Sequence, residues 1–284
     1  MMTTVNVRST PFELTVRKDT RFDFSGLEDV LHTDGNLYIS HFFNSLSLVT
    51  PVTEGVLIRA IREAQPLLPG SGLEADAAAF IGQEAIHSRE HRALNRRLAE
   101  LGFDTSPVVD EVETEIRQLE ETMTLQERLA LVVAGEHAIY ALARALLASN
   151  YGNSEQNSVV KALFVWHALE EMEHQSVCDD IYRQLFGWGM KHRIIYLRMY
   201  LVAGKLLSMM LTRLMRALRA KSRGPEPGEF KAFLSWLLHD PGVGVITLRE
   251  LLVFFSPGFS HWSRREQDQE LIQRNLEVVL KSVA

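Results

Sequence analysis

Two copies of one short pattern, Glu84-x-x-His87 and Glu171-x-x-His174, constrain this chain more than any other feature. Residues three apart share one face of an α-helix, so each copy offers a carboxylate and an imidazole to the same neighbour. Two such helices, with one inward glutamate from each of two others, make the di-metal carboxylate centre of four-helix bundles. Glu54 and Glu136 fill the single-glutamate places, and the order reads Glu54, Glu84/His87, Glu136, Glu171/His174. The pattern predicts an all-α chain folded around metal ions.

Helical phase sharpens the set. At about 100° per residue, His87 lies about 60° round from Glu84, and His91 returns to within about 20° of it. His167, Glu171 and His174 fall within about 60° of one another, while Glu170 and Glu173 rotate off that face. The predicted metal ligands are therefore Glu54, Glu84, His87, Glu136, His167, Glu171 and His174. His91 is read as a hydrogen-bonding support, with ligation as its alternative. His137, about 100° from Glu136, is read as packing or binding a supporting carboxylate. A single Glu-x-x-His is usually a solvated surface pair. Two copies, each preceded by a glutamate in an earlier helical segment, are a different matter. Their neighbours are apolar (Phe80, Ile81, Ile86; Leu131, Val132, Val133; Phe164, Val165, Leu169). Charge in such surroundings is costly without a metal. Glu54 is the least anchored of the set, because a carboxylate early in a helix also complements its dipole.

The rest of the chain bounds the problem. Its 284 residues suffice for one large domain or a bundle with an appendage. A net charge of −6 without a long basic run argues against nucleic acid. Cys178 is the only cysteine, which rules out an internal disulfide framework and suits a reducing compartment. The opening MMTTVNVRSTPFEL lacks the apolar core of a signal peptide, so the expected location is cytoplasmic. The stretch 194–218 is strongly apolar, yet Arg198, Lys205, Arg213 and Arg216 interrupt it. Charges at mid-span are costly in lipid, so a buried core helix is the favoured reading, ahead of an interfacial helix touching membrane and of a true span.

Three regions are expected: an irregular segment over 1–36, the metal-binding bundle over 37–190, and additional packed helices over 191–284. Phe12 to Arg17 alternates enough for one short strand. A helix is expected over Leu37–Leu48, and another entering at Pro51 and Thr53 and stopping near Pro66. Long helices follow over Leu73–Leu101, from the capping box Thr124-x-x-Glu127 to about Asn150, over Glu155–Phe186 and over 191–221. Tyr151-Gly152-Asn153 reads as a turn and 222–228 as a linker. Shorter helices then follow, broken at Asp240-Pro241-Gly242 and Ser256-Pro257-Gly258.

At the strings PVTEG, FIGQEAIHSREHRALN, AGEHAIYAL, WHALEEMEHQSVCDDIY and FFSPGFSHW the chain resembles a bacterial family of predicted metal-dependent hydrolases. The resemblance runs from about Leu37 to Trp262 and implies a ferritin-like four-helix bundle with extra C-terminal helices. The ligand spacing also resembles the seven-ligand site of di-iron arylamine N-oxygenases. That likeness implies Glu54, Glu84, His87, Glu136, His167, Glu171 and His174 as ligands; the additional His91 leaves open which histidine is the seventh.

Three functions fit. The first is a non-haem di-iron carboxylate oxidase or oxygenase. It would use two iron ions (manganese or zinc being the alternatives) and dioxygen to oxidise a small, mostly hydrophobic substrate. Electrons would come from a partner reductase or from the substrate, since neither Gly-x-Gly-x-x-Gly nor a P-loop is present. The second is a metal-dependent hydrolase using a metal-activated water. The third is a non-enzymatic iron-binding protein. Peripheral membrane contact and a homodimer stay open as further associations.

Overall fold

A computed structural model describes residues 14–149, 158–174, 176–187, 189–239, 242–254, 256 and 265–283. Among them are ten α-helices and no strand. In chain order they are α1 (Leu37–Ala64), α2 (Leu73–Glu100), α3 (Ser106–Glu121), α4 (Leu125–Ala148), α5 (Ser158–His174), α6 (Val177–Phe186), α7 (Met190–Lys221), α8 (Glu229–Leu238), α9 (Val243–Val253) and α10 (Arg265–Val283). The protein is all-α.

Most of the core lies on α1, α2, α4 and α5, with further residues from α3, α6 and one stripe of α7. α1 packs on α2 and α4, and α5 packs on the same two, so each long helix touches two neighbours around a square. The ends are set by local chemistry. The Asn36 side chain accepts hydrogen bonds from the Tyr38 and Ile39 N–H groups at 3.0 Å each and starts α1. Thr124 and Glu127 form the reciprocal capping box that starts α4. Gly102, at φ +92°, closes α2 by letting the Phe103 N–H reach the Leu98 carbonyl. Of the remaining helices, α6 packs on α4 and α2, α3 on α7 and α1, α7 on α1 and α4, α8 on α1, α9 on α4, and α10 on α5 and α4.

Four expectations need correction. The helices expected on either side of Pro51 are one helix, with Pro51 inside it. Proline removes the N–H that would bond the carbonyl four residues back. Here that carbonyl, on Ser47, instead accepts from Asn95 Nδ2 at 3.0 Å, so the defect is repaired across α1 and α2. The helix expected over Glu155–Phe186 is two, α5 and α6, separated around residue 176. The break lets Cys178, Ile181 and Tyr182 turn into the core beside α2 and α4. Leu14 to Arg17 is irregular rather than a strand, because its polar groups bond side chains of α2 and α5 instead of a neighbouring strand. Phe12, Glu13 and the Tyr151-Gly152-Asn153 turn lie outside the described residues. Finally, the apolar stretch 194–218 is not a core helix. Only Tyr196, Met199, Met210, Leu214 and Leu218 of α7 are buried. A helix packed on the outside of a closed square can bury only one stripe.

The 14–36 segment is irregular but anchored. Phe22 packs on Trp166 with ring centroids 5.5 Å apart, and its N–H bonds the buried carboxylate of Glu90 at 3.0 Å. This strap crosses the outer side of α2 and α5, directly behind the predicted ligands.

Candidate metal centre

The square brings Glu54 from α1, Glu84 and His87 from α2, and His167 and Glu171 from α5 to one buried point. Each carboxylate is no more than 2% exposed, and His87 is fully enclosed. His87 Nδ1 lies 3.8 Å from Glu54, 3.7 Å from Glu84 and 3.7 Å from Glu171. His167 Nε2 lies 2.8 Å from Glu171 Oε1 and 3.7 Å from Glu54 Oε1. Two triads of possible ligand atoms result, Glu54/His87/His167 and Glu84/His87/Glu171, with all atoms of each within 4.8 Å of one another. Donors about 2.0–2.2 Å from one ion stand roughly 3 to 3.6 Å apart, so the longer separations are close to those of a shared cation.

Charge gives the same answer. Burial, then the charge of Glu84, pushes the Glu54 carboxyl well above its ordinary range, against the opposing pull of His87 and Ser88. Oε2 of Glu54 accepts from Ser88 Oγ at 2.6 Å. Three carboxylates crowded into an enclosed, largely apolar space are a poor arrangement for a bare protein and a good one for a divalent cation. Mixed carboxylate and imidazole donors suit iron, manganese or zinc rather than calcium or magnesium.

Glu136 of α4 is also buried, at 2% exposure. It lies outside the two triads, but its charge, with those of Glu84 and Glu171, raises the thiol pKa of Cys178 on top of the effect of burial. The charges of all three thus reach Cys178, from α4, α2 and α5. His174 closes α5, and its side chain lies outside the described residues. His137 turns away from the centre: its Nε2–H donates to the Glu250 carbonyl at 3.2 Å, and its ring packs 4.4 Å from Phe254.

Behind the two imidazoles lie supports of different kinds. His87 Nε2 meets Glu170 at 3.1 Å. Glu170 also accepts from Trp166 Nε1 at 2.9 Å and from Arg17 at 2.8 Å. Burial alone would raise the Glu170 carboxyl, but the hydrogen bond and charge of His87, with the charge of Arg17, hold it below its ordinary value. Burial likewise works against protonated His87. Hydrogen bonds to Glu170 and Glu84 and the charges of Glu84 and Glu54 overcome it, raising His87 well above the ordinary imidazole value.

Behind His167 the support is neutral. Ser47 Oγ donates to Asn95 Oδ1 at 2.7 Å, so it can accept the Nδ1–H of His91 at 3.0 Å. His91 Nε2 is then an acceptor and takes the Nδ1–H of His167 at 2.8 Å. In this direction Nε2 of His167 carries no hydrogen, and its 2.8 Å approach to Glu171 Oε1 then needs a proton or a cation between the two acceptors. Burial, then the charge of His87, lowers His91 to about 3, so it stays neutral in this line.

Glu170, Trp166, Arg17 and Ser88 were not among the predicted site residues. Trp166 and Glu170 stand four apart on α5, a spacing that could have been read as a pair. Ser88 follows His87 directly. Nothing local marks Arg17, which reaches α5 across 153 residues of sequence.

A cavity opens beside the centre between α1, α4 and α5, with Glu54, His167 and Glu171 in its wall. The rest of its lining is nearly all apolar, including Leu46, Ile139, Leu142 and Phe164, and among the described residues it contains no lysine or arginine.

The chain matches the family described as predicted metal-dependent hydrolases over residues 16–264. It belongs to that family. The match takes in every predicted ligand, the Arg17 strap and helices α1 to α9. No curated protein and no solved structure matches the chain. For a predicted metal-dependent hydrolase, the buried Glu/His cluster is the place in the described residues where a divalent metal fits.

Proposed function

We propose that this protein is a metal-dependent hydrolase acting on a small, mostly apolar molecule. Glu54, Glu84, His87, Glu136, His167, Glu171 and His174 form the ligand set for two divalent ions. The observation that carries the proposal is the pair of buried triads meeting at His87, and the family description supports hydrolysis as the reaction. Divalent ions held by these residues would supply Lewis-acid polarisation of the group to be cleaved and a water of lowered pKa. The protein's own part is positional. Glu170 holds His87, and the Ser47–His91 line holds His167 with its Nε2 presented. The apolar wall of Leu46, Ile139, Leu142 and Phe164 excludes bulk water and receives the substrate's hydrocarbon part.

A second reading is oxidation of the same kind of substrate by two iron ions and dioxygen, with electrons from a reductase or the substrate. The carboxylate-rich donor set on four helices favours it. So does the absence, among the described residues, of a lysine or arginine from the cavity wall, which leaves an anionic substrate without a cationic partner there.

One experiment separates the two. Protein purified without added metal is analysed for bound metal. Zinc-loaded and anaerobic ferrous-loaded samples are then tested for cleavage of aryl esters of increasing chain length and for oxygen uptake. Hydrolysis by the zinc form without oxygen uptake is the expected result. Oxygen uptake by the ferrous form, with an inert zinc form, would overturn hydrolysis in favour of oxidation.

A further inference from the structure

The outer face of α7 combines two properties that a free aqueous surface does not need. Met190, Ile194, Leu197 and Leu201 are 72%, 63%, 50% and 68% exposed. At about 100° per residue these four fall within about 60° of arc and form one stripe. The helix also carries eight lysines and arginines and no aspartate or glutamate, in a chain whose net charge is −6. Lys191, Arg193, Arg198 and Lys205 are exposed and flank the stripe. Arg198 lies near Glu127 at 3.4 Å and Arg213 pairs with Glu115 at 2.9 Å, so part of the charge is met from α4 and α3. On α9, Val245, Leu248 and Leu252 are exposed, with Arg249 on the same side.

These two helices border the mouth of a second cavity, of about 600 Å³, whose wall includes Leu201, Leu206 and Met210 of α7 and Leu251 of α9. Its wall is again almost wholly apolar. It shares Thr53, Ala138, Ile139 and Leu207 with the cavity that reaches Glu54, His167 and Glu171. The two cavities therefore adjoin at these side chains, and Leu201 belongs both to the exposed stripe and to the wall of the second cavity.

We propose that the α7/α9 face docks on an anionic membrane surface and that the adjoining cavities take a long-chain, lipid-like substrate from it to the Glu/His centre. An apolar stripe flanked by cations suits the boundary of headgroups and acyl chains, where both hydrophobic burial and charge attraction contribute. A second copy of the chain fits less well. A two-fold contact sets the same patch against itself, and a helix with eight cations and no anion would meet its own charges. The docking half stands on the surface alone. The substrate half rests on the reading of the metal centre given above.

The full chain is tested for co-sedimentation with phosphatidylcholine–phosphatidylglycerol vesicles and with pure phosphatidylcholine vesicles, and its mass in solution is measured by light scattering. Binding to the anionic vesicles is expected, falling at least about tenfold in Ile194→Asp/Leu201→Asp and weakening with salt. Lys191→Glu/Lys205→Glu should weaken it while leaving the apolar stripe intact. A stable dimer that ignores both vesicles, or a monomer that does so, overturns docking.

For the substrate half, the probe is methyl cis-parinarate, an uncharged ester, followed by its fluorescence on binding. Saturable binding is expected, lost in Ala138→Trp or in Leu207→Trp, either of which fills the junction, with metal content unchanged. Unchanged probe binding in a folded junction variant overturns the path. Loss of metal in wild-type protein would instead count against the metal centre and leave the vesicle result standing.

Discussion

His87 and His167 stand ring to ring, 4.1 Å between centroids, and face the same carboxylates from neighbouring helices, α2 and α5. Their supports differ. Behind His87 is a carboxylate, Glu170, itself held by Arg17 and Trp166. Behind His167 is a line of neutral groups, His91, Ser47 and Asn95. A charged acceptor makes a hydrogen bond roughly twice as strong as a neutral one and raises the basicity of the imidazole. A neutral line fixes orientation and tautomer without adding charge. The difference teaches that one centre can hold two equivalent ligands with unequal firmness, and it predicts an unequal response to substitution.

The largest effect should come from the imidazoles themselves. His87 belongs to both triads and His167 to one. Nε2 of His87 is held by Glu170, so its Nδ1 can bind one ion only. His87→Ala and His167→Ala should each lose one ion, and the ion left in His87→Ala should be held more weakly, as read by metal analysis and chelator competition after gel filtration. Equal affinity for the remaining ion would erase the distinction. Next comes Glu170→Gln, expected to weaken metal binding by about 10- to 100-fold; competition with a chelator of known affinity measures it. His91→Phe should weaken binding less, by about tenfold or under by the same reasoning. If His91→Phe proves the more damaging, the neutral line matters more than the charged one.

A pH dependence sharpens the comparison further. Burial and the charge of His87 lower His91 from 6.5 to about 3 in the folded chain. Between these values the unfolded chain binds the extra proton and the folded chain does not, so stability from His91 is full above 6.5 and declines as pH falls. His91→Phe lacks this contribution. The stability advantage of wild type over the variant, from urea denaturation of metal-free protein, should shrink from about pH 6.5 to about pH 4. The smallest effect is expected for Pro51→Ala. The new N–H competes with Asn95 for the Ser47 carbonyl, so helix stability gained and support lost should offset to within about 1 kcal/mol.

Much of the centre was legible because helical phase is local. The i, i+3 and i, i+4 spacings on α2 and α5 are enough to put Glu84 with His87 and His167 with Glu171, and to turn Glu170 off that face. The capping box of α4 was equally local. What phase could not supply was contact between distant segments. The Arg17 strap, Ser88 on Glu54 and the repair of the Pro51 carbonyl by Asn95 all depend on tertiary packing. That repair is also why two expected helices are one. The exposure of α7 was hidden for a related reason. α4 and α7 are both long and apolar enough to cross a membrane. Yet 72% of the most apolar stretch of α4 is buried and only 17% of that of α7. Hydropathy records what a helix prefers, and only its place in the square decides what it meets.

The most direct test is the metal content of two variants one residue apart. Glu171 faces both imidazoles, at 3.7 Å and 2.8 Å, while Glu170 sits behind His87. Under saturating metal, Glu171→Ala should lose at least one ion per chain and Glu170→Ala should keep the wild-type number at lower affinity. Full metal occupancy in Glu171→Ala, with loss in Glu170→Ala, would contradict the placement of the centre on this face of α5.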